Sequence, residues 1–257
     1  MSDLREFLRQ MEDRGEVLRV ERSVSPHLEV SEALKENDGG RILLFESVKG
    51  YANRVVAGLC GTRGRLSFAL GVPEEKLHDG LLGFIKKPLD PRCVKEAPVK
   101  QVSEKPRLTR LPILTHYERD GGRYLTSAIV ATKTPDGDLE NVSIHRLMVL
   151  DDNHLAIRIV PRHLYRICQI ARLKGEKTVD VAIAIGLNPA VSIAASSPVP
   201  FGVSEYSVAN SMLRGTFEVT PCESVDARAP AESELVFEGK ILLDEEVNEG
   251  PFVDITG

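Results

Sequence analysis

Four short segments hold residue types able to do chemistry together. The first is Asn141-Val142-Ser143-Ile144-His145-Arg146. An asparagine amide offers a hard oxygen that can ligate a divalent cation. An arginine offers an always-charged fork suited to a carboxylate or phosphate. In a regular strand Asn141, Ser143 and His145 share one face and Arg146 lies on the other. Serving one site with both Asn141 and Arg146 therefore requires a bulge, or a ligand touched from two levels. The plain alternative is a polar strand with an ordinary surface ion pair.

The second segment is Arg158-Ile159-Val160-Pro161-Arg162-His163, a strand running into the start of a helix. Helix N-termini favour phosphate, and Arg158 and Arg162 add positive charge. His163 can ligate a metal through a neutral ring nitrogen, or simply pack at the helix start. The third segment, residues 194–205, combines Ala194, Ala195, Ser196 and Ser197 with Pro198, Pro200 and Gly202 and ends on Ser204-Glu205. Its rigid backbone can point carbonyls at a monovalent cation, and Glu205 is a hard anionic ligand. A connector in which Ser204 caps the next helix is compatible with that. The fourth segment, Asn248-Glu249-Gly250-Pro251-Phe252-Val253-Asp254, spaces two carboxylates five apart across a Gly-Pro turn. Paired acids in one pocket push their pKa values apart, as acid–base work requires. An acidic surface turn following Asp244-Glu245-Glu246 is the bland reading.

These segments need elements to position them. Ser2 is placed to cap a helix in which Leu4, Phe7, Leu8 and Met11 share a face, with Gly15 ending it. Strands are expected at residues 17–20, 42–45 and 55–59, and a short helix after Pro26. Pro73 suits the first turn of a helix reaching Ile85. Residues 88–112 carry five prolines and read as an extended connector. Beyond it, strands at 127–132, 142–150 and 154–160 alternate with the turns Pro135-Asp136-Gly137 and Asp151-Asp152-Asn153, an antiparallel meander. A helix is expected at 163–173, strands at 179–186 and 190–194, a helix near 205–213, and strands near 216–221 and 234–243. The expected fold class is α+β: an N-terminal α/β domain (residues 1–105) and a β-rich, split-barrel-like domain (residues 106–257). The turn-rich terminus at residues 250–257 reads as the inside of a loop, so a continuing C-terminal region is expected.

The 257 residues have a formal charge of −5 with no basic block, which argues against a nucleic-acid surface. No apolar run approaches a membrane span, and the N-terminus has no secretory h-region. Cys60, Cys93, Cys168 and Cys222 are scattered without a CxxC pair, so free thiols in a cytoplasmic protein are expected.

Taken in order, residues 141–146, Pro161-Arg162-His163, residues 196–205, residues 234–239 and Glu249-Gly250-Pro251-Phe252 resemble the UbiD family of reversible decarboxylases. Residues 43–50 are similar to the family's early strand and turn. The resemblance spans essentially the whole chain. It implies prenylated FMN, a divalent metal (Mn2+ or Mg2+) and K+. Asn141, His163 and Glu205 would be the divalent ligands; backbone carbonyls around Val142, Ala194, Ala195 and Ser197 would hold potassium. Asn141, Ser143, Ile144, His145, Arg146, Arg158, Ile159, Val160, Arg162, His163, Ser196, Ser197, Pro198 and Glu205 would surround the cofactor. Arg146, Glu249 and Asp254 would form a carboxylate–arginine–carboxylate set over the flavin, with Asp254 the proton donor and Glu249 holding Arg146. Asp254 stands where some members have Glu, and Val253 where glycine is frequent.

The implied substrate is an α,β-unsaturated acid. The archaeal branch, which converts trans-anhydromevalonate 5-phosphate to isopentenyl phosphate, is the first expectation; an aromatic acid such as 3-polyprenyl-4-hydroxybenzoate is the alternative. A flavin prenyltransferase would supply the cofactor, and a homo-oligomer is expected. Two further alternatives are a non-catalytic, truncated assembly module and a plain FMN reductase, the latter lacking a Gly-rich dinucleotide fingerprint.

Overall fold

The computed structural model describes residues 3–253. Helix α1 (Leu4–Asp13) is capped by Asp3, whose carboxylate accepts from the Glu6 amide at 2.7 Å; Ser2 lies outside the described residues. Leu4, Phe7 and Met11 form its buried face. Strands β1 (Val17–Val20), β2 (Ile42–Phe45) and β3 (Val55–Ala57) make a small sheet. β1 and β2 are parallel because α2 (Glu29–Glu36) crosses between them; β3 returns antiparallel. Helix α3 (Arg63–Leu70) has no counterpart in the sequence reading. Its Gly64 and alternating arginines hide any apolar stripe, yet Thr62 caps it and Gly71, at φ 59°, ends it. Pro73 precedes a 3-10 turn (Glu74–Lys76), which leads into α4 (Leu77–Lys86) rather than standing in that helix's own first turn.

The proline-rich connector contains an element after all. Arg92–Cys93 forms β4, which runs parallel to β11 (Glu218–Pro221); β12 (Arg228–Pro230) completes that sheet. The largest sheet has the order β13-β10-β6-β7, with β6 (Ile129–Lys133), β7 (Glu140–Ile144), β10 (Thr178–Ile185) and β13 (Leu235–Leu242) all antiparallel to their neighbours. A third small sheet joins β5 (Tyr124–Leu125), β8 (Leu147–Val149) and β9 (Leu155–Ile157). The fold is α+β.

Two further expectations need correction. The single strand at 142–150 is two strands in different sheets, β7 and β8, with a break at His145-Arg146. His145 is buried and anchored on both ring nitrogens, so the chain turns there and Arg146 leaves the strand's alternation. The expected strand at 190–194 is helix α6 (Pro189–Ala195). Val191 and Ile193 gave it β character, but Asn188 caps it, its Oδ1 accepting from the Ala190 amide at 2.9 Å, and Pro189 starts it. Helices α5 (His163–Leu173) and α7 (Glu205–Met212) lie where the sequence places them. Small residues, Ala190, Ala194 and Ala209 among them, let α6 and α7 pack closely over the main sheet in one core with Ile129, Val142, Ala182 and Tyr206. Among the described residues no helix is long and apolar enough to cross a membrane.

Candidate active site

Strand β7 is an edge of the main sheet, so its outward amides are open to another element. The first residue of α7, Glu205, takes that place. Its Oε2 accepts from the Val142 amide at 2.6 Å and its Oε1 from the Asn141 side chain at 3.0 Å. A three-way contact sets this approach. Glu140, at the start of β7, accepts from Arg228 at 2.8 and 2.5 Å and from the Ser204 hydroxyl at 2.5 Å. Ser204 is itself the N-cap of α7. His163, the first residue of α5, brings its Nδ1 to 3.9 Å from Glu205 Oε1. Its ring meets Phe201 edge-on at 5.4 Å, and the Arg166 guanidinium lies 4.1 Å over that phenylalanine.

Electrostatics prepare this cluster for a cation. Glu205 is 4% exposed, and burial pushes its carboxyl up to about 7 despite the donors from Val142 and Asn141. Burial, then Arg166 and Arg162, lowers the His163 pKa, which favours the neutral ring a metal requires. Burial likewise lowers the His145 pKa. A neutral His145 has one proton, and its Nδ1 faces the Arg158 carbonyl at 3.1 Å, which only accepts. Its Nε2, 2.9 Å from Ser143 Oγ, must then accept the serine proton. Ser143 has no second proton for Asn141 Oδ1, 3.2 Å away. That amide oxygen keeps its lone pairs beside the Glu205 carboxylate. Asn141, Glu205 and His163 therefore fit a hard divalent cation. Among the described residues no three His, Cys, Asp or Glu side chains gather at metal-binding distance.

The end of α6 lies nearby, since α6 packs on both α7 and β7. The Ser196 and Ser197 hydroxyls donate back to the Ser192 and Ile193 carbonyls at 2.9 Å, and the Ser197 amide to the Ala194 carbonyl at 2.9 Å. Ala194 and Ala195 thus stand at a helix C-terminus, where aligned carbonyls favour a cation. Pro198 is exposed in the following loop. Ile144, Arg158, Val160 and Arg162 are also exposed, whereas Ile159 packs inward against the α5 cluster.

The second cluster centres on Arg146 in the break between β7 and β8. Its Nη2 donates to Glu249 Oε2 at 2.7 Å, with Glu249 only 8% exposed. Phe252 puts its ring 5.1 Å from the guanidinium carbon, within cation–π range. Phe252 in turn packs on Tyr124 at 4.5 Å and edge-on to His116 at 6.2 Å. The Gly121 amide donates to the Pro251 carbonyl at 2.6 Å and pins the turn. Burial, then the Glu249 carboxylate, pushes the Tyr124 phenol up to about 12. Asp254 lies outside the described residues.

Comparison with known proteins matches the chain to one family. Residues 92–257 match the UbiD model, described as the 3-octaprenyl-4-hydroxybenzoate carboxy-lyase Rift-related domain, and residues 8–91 match that enzyme's N-terminal domain. The chain belongs to the UbiD family. It is 37% identical over 248 residues to the anhydromevalonate phosphate decarboxylase of Methanothermobacter thermautotrophicus, covering 94% of this chain and 56% of that protein. The enzyme of the same name from Methanosarcina mazei is 40% identical, covering 98% and 58%. Among solved structures, an evolved dimeric form of the UbiD-class enzyme HmfF from Pelotomaculum thermopropionicum, in complex with prFMN, superposes with a TM-score of 0.94 at 41% identity. That match covers 97% of this chain and 59% of HmfF. The chain thus spans somewhat more than half the length of the relatives it matches.

Within this UbiD-family chain, sequence reading missed the contacts that hold the site together. Glu140, Arg228 and Ser204 fix β7 against α7, Phe201 backs His163, and Tyr124 backs Glu249 and Phe252. Arg228 is 88 residues from Glu140, and no local pattern links them. Two of these residues carried a signal: Ser204 as the expected N-cap of α7, and Phe252 as the aromatic following the Gly-Pro turn.

Proposed function

We propose that the whole protein is a prenylated-FMN-dependent decarboxylase of an α,β-unsaturated acid, with trans-anhydromevalonate 5-phosphate as substrate. The observation that carries this reading is the pairing of two neighbouring devices on one stretch of chain. Asn141 joins Glu205 and His163 in a cation-type donor set, and five residues on, Arg146 is gripped by Glu249. The two archaeal relatives of that name support the substrate, and the prFMN complex of HmfF supports the cofactor.

Asn141, Glu205 and His163 would hold a divalent cation, Mn2+ or Mg2+, at the cofactor phosphate. The carbonyls of Val142, Ala194, Ala195 and Ser197 would hold K+. Ser143, Ile144, His145, Arg158, Ile159, Val160, Arg162, Ser196, Ser197 and Pro198 would border the flavin. Bound there, the prenylated flavin supplies the electron sink for the pair left behind when carbon dioxide departs. Arg146 binds the substrate carboxylate with its charged fork. Glu249 orients that fork and balances its charge in a site where Phe252 keeps water from the guanidinium face. Asp254 is assigned the proton donor to the vacated carbon. A flavin prenyltransferase is the proposed cofactor source, the cytoplasm the proposed location, and a homo-oligomer the proposed state, supported by the dimeric HmfF form.

The test uses the full-length protein loaded with prenylated FMN and Mn2+. Carbon dioxide release from trans-anhydromevalonate 5-phosphate is expected, and release only from a polyprenyl-hydroxybenzoate would transfer the assignment to aromatic acids. Arg146→Ala and Asp254→Asn are expected to abolish turnover, and Glu205→Gln to weaken Mn2+ binding at least about tenfold. Undiminished turnover in Arg146→Ala refutes the assigned chemistry.

A further inference from the structure

Arg146 is asked to do two things in the reading above: hold Glu249 and receive a substrate carboxylate. The neighbourhood of Glu249 shows how both are met. Oε2 is held by Arg146, while Oε1 is buried without a well-formed hydrogen bond among the described residues, although the Tyr124 hydroxyl already stands close enough to the Glu249 carboxylate for each to feel the other. Beside it stands Tyr124, 2% exposed, with its ring 4.5 Å from Phe252 on the same turn as Glu249. The Tyr124 hydroxyl donates to the Met148 sulfur at 3.1 Å. A thioether is a weak acceptor, and a carboxylate a strong one. Strand register locks the arrangement, because Tyr124 is the cross-strand partner of Met148 in the β5–β8 pair, and Met148 lies two residues beyond Arg146.

A substrate carboxylate at Arg146 competes for the guanidinium that Glu249 uses. With its counter-ion shared and one oxygen bare, the Glu249 anion is destabilised in a buried place. Protonation of Glu249 would remove the charge that orients Arg146. We propose that Tyr124 is a positioning residue of this site: its hydroxyl, parked on Met148, turns to Glu249 Oε1 when a substrate carboxylate engages Arg146. The proton stays on the phenol throughout, and no bond is made or broken beyond the exchange of acceptors. The inference rests on the decarboxylase reading for its substrate, but its geometry belongs to the chain itself.

The exchange occurs on binding and persists through the transition state, so its loss acts on KM rather than kcat. In full-length enzyme loaded with prenylated FMN, Tyr124→Phe is expected to raise KM for trans-anhydromevalonate 5-phosphate by about 10- to 100-fold, the size of one hydrogen bond to a charged group. The expected kcat stays within about threefold of the parent. Phenylalanine keeps the ring packing, so a purely structural role for Tyr124 predicts no change in either constant. An independent readout needs no turnover: in a crystal structure of full-length Arg146→Ala, the Tyr124 hydroxyl is expected within about 3 Å of Glu249 Oε1. Unchanged kinetics in Tyr124→Phe, or a Tyr124 hydroxyl still on Met148 in Arg146→Ala, overturns the proposal. If the loaded parent enzyme does not release carbon dioxide, the functional reading falls, and the crystal structure alone decides the role of Tyr124.

Discussion

Replacing Arg228 with alanine tests how the two halves of the donor set are held at their spacing. Arg228 binds both oxygens of Glu140, at 2.8 and 2.5 Å, and Ser204 donates to the same carboxylate. Glu140 precedes Asn141 on β7, and Ser204 precedes Glu205 on α7. The guanidinium thus neutralises the carboxylate that fixes one ligand element against the other. The Glu140 side chain is 8% exposed and that of Arg228 27%. Removing one partner of a fully buried pair costs about 3–5 kcal/mol, chiefly because the other charge is left unpaired. Partial access of water to Arg228 discounts this, so about 2–3 kcal/mol is expected for Arg228→Ala. Urea denaturation of the full-length protein reads the loss as a lower midpoint at unchanged slope. Adding Glu140→Gln removes the stranded charge and is expected to return about 1 kcal/mol or more, a coupling that a double-mutant cycle isolates. Calorimetric Mn2+ titration is expected to show about 10- to 100-fold weaker binding in Arg228→Ala, as for the loss of groups that orient metal ligands. A midpoint and a Mn2+ affinity both indistinguishable from the parent would refute this account of how β7 and α7 are registered.

Two other substitutions probe separate parts of the chain. A Cβ at Gly121 would overlap the Gly250 carbonyl, so Gly121→Ala is expected to displace the turn bearing Glu249 and Phe252. Decarboxylation should fall by more than about tenfold, since misplacing a catalytic group by an ångström is costly, while the unfolding free energy read from urea denaturation falls by about 1–3 kcal/mol, the usual cost of overpacking; equal activity would count against the turn's role. Burial, then the Glu238 carboxylate, pushes the Cys222 thiol up to about 12, so its thiolate is scarce at pH 8. Alkylation of Cys222 by iodoacetamide should run about a thousandfold below that of a freely exposed thiol, judged by thiolate fraction. It should climb as pH rises toward 12, and Glu238→Gln should accelerate it at pH 8. Peptide mapping by mass spectrometry separates Cys222 from Cys60, Cys93 and Cys168, and ready alkylation at pH 8 would contradict the burial argument.

Local pattern alone was enough for much of the architecture. Helix α1 follows from the spacing of Leu4, Phe7 and Met11, α5 from the strand-like run into Pro161, and α7 from the Ser204 cap at the end of a loop. The strands β2, β10 and β13 are apolar or alternating runs bounded by turns, readable without any knowledge of what they pair with. Where local and tertiary preferences disagreed, the sequence misled. Val191-Ser192-Ile193 has strand character, but the Asn188 cap and the fit of Ala190 and Ala194 against α7 make it helix. Residues 142–150 look like one strand, but burial of His145 between Ser143 and the Arg158 carbonyl breaks it in two.

That break also decides the site. By alternation, Asn141 and Arg146 belong on opposite faces, and only the switch from β7 to a second sheet releases Arg146 toward Glu249, 103 residues away. The sequence by itself determined which side chains are available: an amide, a carboxylate and an imidazole for a cation, an arginine and a carboxylate for an acid. Tertiary structure decided which of them meet, and it supplied the Glu140–Arg228–Ser204 contact and the Tyr124 ring that hold them. The physical reason is range. Periodicity and capping act over a few residues, whereas burial of a charge and choice of its partner depend on segments that come together only when the chain is folded.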